Sequence, residues 1–211
     1  MKPESNRPPH FSMIRDFHLA DWFTLANAFC GMGAVLSAMA YLTGAHPDGL
    51  WWAAALIPAA FIFDVFDGRI ARWRKQQSVL GRELDSLADV ISFGVAPAAM
   101  AFAAGLDGFW DCLVLAYFVA CGVSRLARYN VTAEALAGDE SGKVKYFEGT
   151  PIPSSVLLVG LLAFALWQGR IGGDIYGGAL MLGYWQLHPL VILFALSGSL
   201  MISKTLRIPK L

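Results

Sequence analysis

Four aspartates pose the chemical question in this chain. They stand in two short stretches, DVFDGRIAR at residues 64–72 and GRELDSLAD at residues 81–89, each bordering a strongly apolar segment. On a helix, Asp64, Asp67 and Ala71 fall at i, i+3 and i+7, and Gly81, Asp85 and Asp89 at i, i+4 and i+8, so each set occupies one face. Pairing of those faces brings four carboxylates together. Like charges at the edge of a low-dielectric region repel, and ionised groups there pair or bind cations. A divalent metal is the simplest explanation, and oxygen-only ligands favour Mg²⁺, Mn²⁺ or Ca²⁺ over zinc. Gly68 follows Asp67 directly and Gly81 precedes Asp85 by four, so the backbone is open to close approach at both places. Arg72, one turn beyond Gly68, offers a fork of donors to a phosphate. A lone intramembrane aspartate can cap a helix or pair with arginine, and a lone glycine can be a packing contact. The combined spacing is what points to a phosphate site built on metal.

The elements that must position these residues are membrane spans. Of the 211 residues, 56% are hydrophobic and 15% charged, far fewer charges than in an ordinary soluble domain. Six apolar runs approach the length needed to cross about 30 Å of hydrocarbon. They lie near residues 22–43, 50–68, 84–105, 109–127, 151–168 and 186–203. The expected fold is therefore all-α, a polytopic membrane protein of six transmembrane helices. Residues 13–22, MIRDFHLADW, have the mixed composition of a short interfacial helix ahead of the first span. Residues 1–12 read as a flexible cytoplasmic tail without the apolar core of a signal peptide, and 13–211 as one membrane domain. Six spans put Lys2, Arg7, Arg15, the 69–82 loop, Arg125, Arg128, Lys143, Lys145, Lys204, Arg207 and Lys210 on one side, and only Arg170 on the other. That asymmetry places both termini and the aspartates in the cytoplasm. Short turn-rich stretches at 43–49 and 105–108 and a glycine-rich one at 169–178 form the outer connections, while residues 129–150 form a long polar inner loop that could face substrate.

Other classes find less support. A net charge of zero argues against a nucleic-acid binder. Cys30, Cys112 and Cys121 lie in expected spans without metal-ligand spacing, and the four histidines are scattered, so neither a disulfide framework nor a zinc site is expected. No internal repeat suggests an inverted-repeat transporter. A cation transporter that uses the four aspartates as an ion path is a different-class alternative, and a structural scaffold leaves the acids unexplained.

The pattern Asp64-x-x-Asp67-Gly68-x-x-Ala71-Arg72, eight residues, then Gly81-x-x-x-Asp85-x-x-x-Asp89 resembles the complete signature of the CDP-alcohol phosphatidyltransferase family. The resemblance implies a six-span fold and transfer of a phosphatidyl group from a CDP-linked lipid to an alcohol, releasing CMP. It implies that Asp64, Asp67, Asp85 and Asp89 bind metal and that Asp89 is also the general base. Gly68, Ala71, Arg72, Gly81 and Ser78, the last in the loop between the helices, match positions that hold the CDP-diacylglycerol, and Thr24 and Asn27 in the first span resemble the polar face beside its cytidine. Thr24 and Asn27 could instead bond to their own preceding turn. Two divalent ions can clamp a reacting phosphoryl group and its leaving group. With no Ser-His or Cys-His pair in view, direct in-line displacement is expected. A homodimer is also implied, although Gly31, Gly33, Ala34 and Ser37 could pack helices within one chain as readily as between chains.

The acceptor must be read outside the signature. SFGVAPA at 92–98, SRLARYNV at 124–131 and YFEGTPIPSS at 146–155 resemble the integral-membrane serine-using branch of bacteria and archaea, which implies L-serine as acceptor and a prokaryotic cytoplasmic membrane. Serine brings a carboxylate and an ammonium beside its hydroxyl. Arg125, Arg128 and Asn130 could bind the carboxylate and Glu148 the ammonium, although arginines at a span end also anchor to lipid phosphates. Sister enzymes using glycerol 3-phosphate or inositol phosphate are the same-class alternative.

Overall fold

The computed structural model describes residues 19–74, 79–137, 146–203 and 207–209. The expected tail at 1–12 and most of the expected interfacial helix at 13–22 lie outside them, and residues 19–22 already belong to the first long helix. The chain is mostly helical. α1 (Leu19–Leu42) has 24 residues, about 36 Å at the α-helical rise, enough to cross a bilayer. It pairs antiparallel with α2 (Gly49–Arg74). The meeting faces are small: Ala34 and Ala38 on α1 and Ala53, Ile57 and Ala60 on α2 are all buried. Small side chains let two helices approach closely in lipid, where association depends on packing rather than on water exclusion. Pro58 lies inside α2 without ending it, as proline can where neighbouring helices shield the freed carbonyl.

The third crossing is a composite. α3 (Val79–Asp89) runs directly into a π-helical segment, Val90–Val95, and then into α4 (Ala96–Ala103). A π turn shifts every later residue around the helix axis, and such turns gather at functional sites. Here it begins immediately after Asp89. It also carries the buried Ser92, whose hydroxyl donates to the Asn27 carbonyl of α1 at 3.0 Å. Gly31 makes that approach possible, because a Cβ built there would stand 2.2 Å from Ser92 Oγ and 2.7 Å from Ser92 Cα.

α5 (Phe109–Ala137) crosses back. It extends well into the stretch expected as the inner loop at 129–150, because VTAEALA carries good helix formers past the membrane boundary. After β1 (Tyr146–Glu148) and a 3₁₀ turn at Ile152–Ser155 comes α6 (Val156–Trp167), and a further 3₁₀ turn at Pro189–Val191 leads into α7 (Ile192–Ile202). Phe118 of α5 meets Phe194 of α7 edge-on, ring centroids 5.3 Å apart, in the buried core.

Among the described residues, four helices are long and apolar enough to cross a membrane: Leu19–Leu42, Gly49–Ile70, Leu80–Ala103 and Phe109–Val131. The remaining two apolar helices, Ile152–Trp167 and Pro189–Ile202, are shorter than the runs at 151–168 and 186–203 suggested. The last loses its start to strand structure. Among the described residues the fold also departs from all-α in two small antiparallel sheets. β2 (Leu180–Leu182) pairs with β3 (Trp185–Leu187), and β1 with β4 (Arg207–Pro209). In β2 and β3 the uncharged, mostly apolar residues read the same in a span as in a short exposed strand, so composition alone did not separate the two.

Candidate active site

α2 and the α3–π–α4 crossing bring the acidic stretches together. Asp64 and Asp67 lie one turn apart on α2, and Asp85 lies on α3; one carboxylate oxygen from each sits within 4.8 Å of the others. Asp67 is buried, and Asp64 and Asp85 are half-buried. Unit charges so close repel by about 3–4 kcal/mol per pair at an effective dielectric of about 20. Among the described residues, no ion pair reaches these three carboxylates. Asp85 Oδ1 is buried without a hydrogen-bond partner. An oxygen-only set that converges, carries excess negative charge and keeps a buried acceptor unused fits a hard divalent cation, and Asp64, Asp67 and Asp85 are the residues that would hold it.

α1 supplies the polar supports. Thr24 Oγ1 donates to Asp67 Oδ2 at 2.8 Å, a shorter contact than its 3.3 Å reach to the Ala20 carbonyl in its own preceding turn. Asn27 Nδ2 donates to Asp89 Oδ1 at 3.3 Å. Both α1 residues are buried, and both address the aspartates. Asp89 is buried one turn beyond Asp85 and stands apart from the converging three, yet within Coulombic range of Asp64, Asp85 and Asp67. The four acids therefore divide into a cluster of three and a neighbour held by an amide. Spacing along the helices could not show that division.

Gly68 faces open space, since a Cβ built there would meet nothing within 4 Å. Ala71 and Arg72 continue α2, Gly81 lies in the first turn of α3, and Ser78 lies outside the described residues. The side chains of Ala71 and Arg72 are likewise outside the description.

α5 contributes unequally. Arg125 is half-buried, within Coulombic range of Asp89, and its Nε has no partner. Arg128 lies on the same helix face one turn on, with Nη1 at 3.5 Å from the Ile202 carbonyl. Asn130 is buried and turned toward α3: its Nδ2 donates to Glu83 Oε1 at 3.2 Å and to Ser86 Oγ at 3.0 Å. Glu148 is in β1, and its side chain is not described. Glu83 and Ser86, which clamp α3 to α5 around Asp85, were not singled out in the sequence although both lie within GRELDSLAD. Ser92 was likewise visible only as part of SFGVAPA. What could have marked these three is their place within one or two turns of Asp85 or Asp89.

The chain is 44% identical over 203 residues to the CDP-diacylglycerol–serine O-phosphatidyltransferase of Saccharomyces cerevisiae, which covers 95% of this chain and 74% of the yeast protein. Proteins of the same description from Mycobacterium tuberculosis and Bacillus subtilis are 36% and 32% identical, each over 67% of this chain. The chain spans 49% of the mycobacterial protein and 72% of the Bacillus one. The family model for CDP-alcohol phosphatidyltransferase matches residues 17–196, the stretch that holds all four aspartates together with Thr24, Asn27 and Arg125. With that match over most of its length, the chain belongs to the CDP-alcohol phosphatidyltransferase family.

Proposed function

We propose that this protein transfers the phosphatidyl group of CDP-diacylglycerol to the hydroxyl of L-serine and releases CMP. The observation that carries this reading is the convergence of Asp64, Asp67 and Asp85 beside Asp89, with Arg125 in electrostatic range. The serine-transferring activity in the relatives' names supports the choice of acceptor.

The carboxylates would hold divalent ions, two of them in the arrangement that best suits a pyrophosphate, and Mg²⁺ or Mn²⁺ bound there would neutralise the phosphate charge and stabilise departing CMP. The chain's own residues do the rest. Thr24 fixes the Asp67 carboxylate, so that it faces its partners with one oxygen already committed. Asn27 does the same for Asp89 through Oδ1, leaving Oδ2 to take the proton of the serine hydroxyl. The serine hydroxyl oxygen, as it loses that proton, forms its bond to the phosphorus bearing the diacylglycerol while the bond from phosphorus to CMP breaks, with no enzyme-bound intermediate. Arg125, with an unused Nε, faces the serine carboxylate, supported by Arg128. Glu148 is the candidate for its ammonium. Asn130 acts here through Glu83 and Ser86, holding α3 in place. The open space at Gly68, with Ala71, Arg72, Ser78 and Gly81 around it in sequence, is where the nucleotide end of the lipid enters.

In this reading the two shorter apolar helices complete a six-span layout, the aspartates face the cytoplasm, and two copies of the chain associate as a homodimer. The deciding experiment measures CMP release by purified protein with CDP-diacylglycerol and Mn²⁺, comparing L-serine, glycerol 3-phosphate, inositol phosphate and no acceptor, with Asp89→Asn as control. Release that needs serine and vanishes in the variant supports the proposal. Release driven by another acceptor keeps the family and overturns the acceptor, and no release with any of them returns the aspartates to an ion path.

A further inference from the structure

The end of the molecule opposite the aspartates carries a structure that the transfer reaction does not use. Residues 175–203 contain no Asp, Glu, Lys or Arg, and within that run β2 and β3 form a tight hairpin that turns at Gly183, φ +70°, and Tyr184. Much of its side-chain surface is exposed: Met181 is 63% exposed, Trp185 53% and Tyr184 95%, with Leu180 and Leu182 also exposed. Apart from Gln186, exposed opposite Met181, the strand side chains of the ribbon are apolar or aromatic.

The hairpin is firmly seated. Trp185 lies against Phe109 with ring centroids 4.9 Å apart, and Trp110 Nε1 donates to the Leu182 carbonyl at 3.3 Å. Gly108 allows the contact, since a Cβ there would stand 2.3 Å from the Gln186 carbonyl oxygen. Beneath it, the buried Asp111 accepts from the Gly108 amide at 3.0 Å and from the His188 amide at 2.8 Å, and pairs with the His188 ring at 2.5 Å. This buried knot joins the first turn of α5 to the residue that follows β3. The ribbon is thus held in a fixed attitude with much of its apolar surface exposed.

Two physical constraints set what covers it. A rigid, uncharged apolar surface of this kind is not left to water in a monomeric protein. Nor can it sink into hydrocarbon, because a two-stranded ribbon has unpaired backbone groups along its outer edges that lipid tails cannot satisfy. The depth that meets both demands is the headgroup region, where tryptophan and tyrosine gather. The neighbouring span ends lie at that level. Trp51 and Trp52 open α2, Phe109 and Trp110 open α5, and Trp167 closes α6, all exposed and all at the helix ends remote from the aspartates. The hairpin continues that aromatic belt.

We infer that the Leu180–Leu187 hairpin is a membrane anchor that lies in the headgroup region of the leaflet opposite the acidic site, its occupant being the lipid surface. Having no charge, it binds by burial of apolar and aromatic surface, so its depth does not depend on anionic lipid. The inference stands on the hairpin and the four long helices and is independent of which alcohol the enzyme uses.

The test places a nitroxide at Tyr184→Cys in a Cys112→Ser chain, reconstituted in phosphatidylcholine vesicles with and without phosphatidylglycerol. Collision with O₂ and with a water-soluble nickel chelate is compared with a label at Asp48→Cys in the exposed connection between α1 and α2. The expected result is an O₂-to-nickel ratio several-fold above that at Asp48→Cys, a depth near the phosphates and no change with phosphatidylglycerol. Nickel access equal to that at Asp48→Cys, or a depth in mid-bilayer, overturns the inference. Spin–spin broadening that disappears on dilution with unlabelled chain also overturns it and assigns the hairpin to a second copy. Met181→Cys gives a second reading of the same ribbon should Tyr184→Cys fail to fold.

Discussion

Thr24 on α1 donates its hydroxyl proton to Asp67 Oδ2 on α2 at 2.8 Å, a buried bond between residues 43 apart in sequence. The aspartate cluster is thus braced from a helix that contributes no carboxylate to it. A hydrogen bond to a charged group contributes about 1.5–3 kcal/mol. Thr24→Val is expected to lower serine-dependent CMP release at limiting Mn²⁺ by about 10- to 150-fold on that basis. Thr24→Ser keeps the hydroxyl and should restore most of it. Equal loss in both variants would show that packing, not the hydrogen bond, matters at this position.

Asp85 and Asp89 are one turn apart yet have different surroundings, which separates their expected phenotypes. Asp89→Asn removes the proton acceptor and should reduce kcat by about 10²–10⁴-fold, with little change in the Mn²⁺ concentration giving half-maximal activity. Asp85→Asn should raise that concentration instead. A titration of rate against Mn²⁺ for both variants distinguishes the roles, and identical curves would refute the division into three and one.

Crowded carboxylates make the metal-free protein less stable than it need be. In EDTA, Asp85→Asn is therefore expected to unfold at a higher temperature than the parent chain. Adding Mn²⁺ should reverse the order, because binding at 100 times Kd stabilises the parent by about 2.7 kcal/mol. Thermal unfolding followed by tryptophan fluorescence reads this without any assay of activity. A parent midpoint insensitive to Mn²⁺ would remove the carboxylates from metal binding.

Arg125 lies within range of Asp89 and has an unused Nε, whereas Asn130 is already bound to Glu83 and Ser86. Arg125→Lys should raise KM for serine while leaving KM for CDP-diacylglycerol unchanged, since a point charge cannot replace a two-pronged donor. Asn130→Ala should instead lower thermal stability and kcat with a smaller effect on serine KM. Steady-state kinetics over both substrates, with a thermal-inactivation curve for each variant, checks the contrast.

Gly31 and Gly160 are both helix glycines in apolar segments, but only Gly31 meets another helix, at Ser92. Gly31→Ala forces α1 away from the π segment and should destabilise the protein by about 1–3 kcal/mol. Gly160→Ala, with nothing within 4 Å of its Cβ, should be close to neutral. Thermal inactivation in one detergent ranks the two, and equal midpoints would argue against close contact at Ser92.

Much of this protein was legible along the chain. Asp64, Asp67, Asp85 and Asp89 announce themselves because a carboxylate beside an apolar span is costly unless something binds it, and helical spacing puts each pair on one face. The four long crossings follow from residue counts alone, since about 20 apolar residues match the hydrocarbon thickness. What the sequence could not decide depends on which faces meet. The contacts of Thr24 with Asp67, Asn27 with Asp89 and Ser92 with Asn27 join residues 43, 62 and 65 positions apart, and each rests on the rotation of one helix against another. The π segment after Asp89 alters that rotation and leaves no mark in composition. The run at 186–203 looked like a whole span because uncharged apolar residues suit a strand at the lipid surface as well as a helix within it. Only the seat made by Phe109, Trp110 and Gly108, with Asp111 holding His188, turned its first residues and those before them into a hairpin.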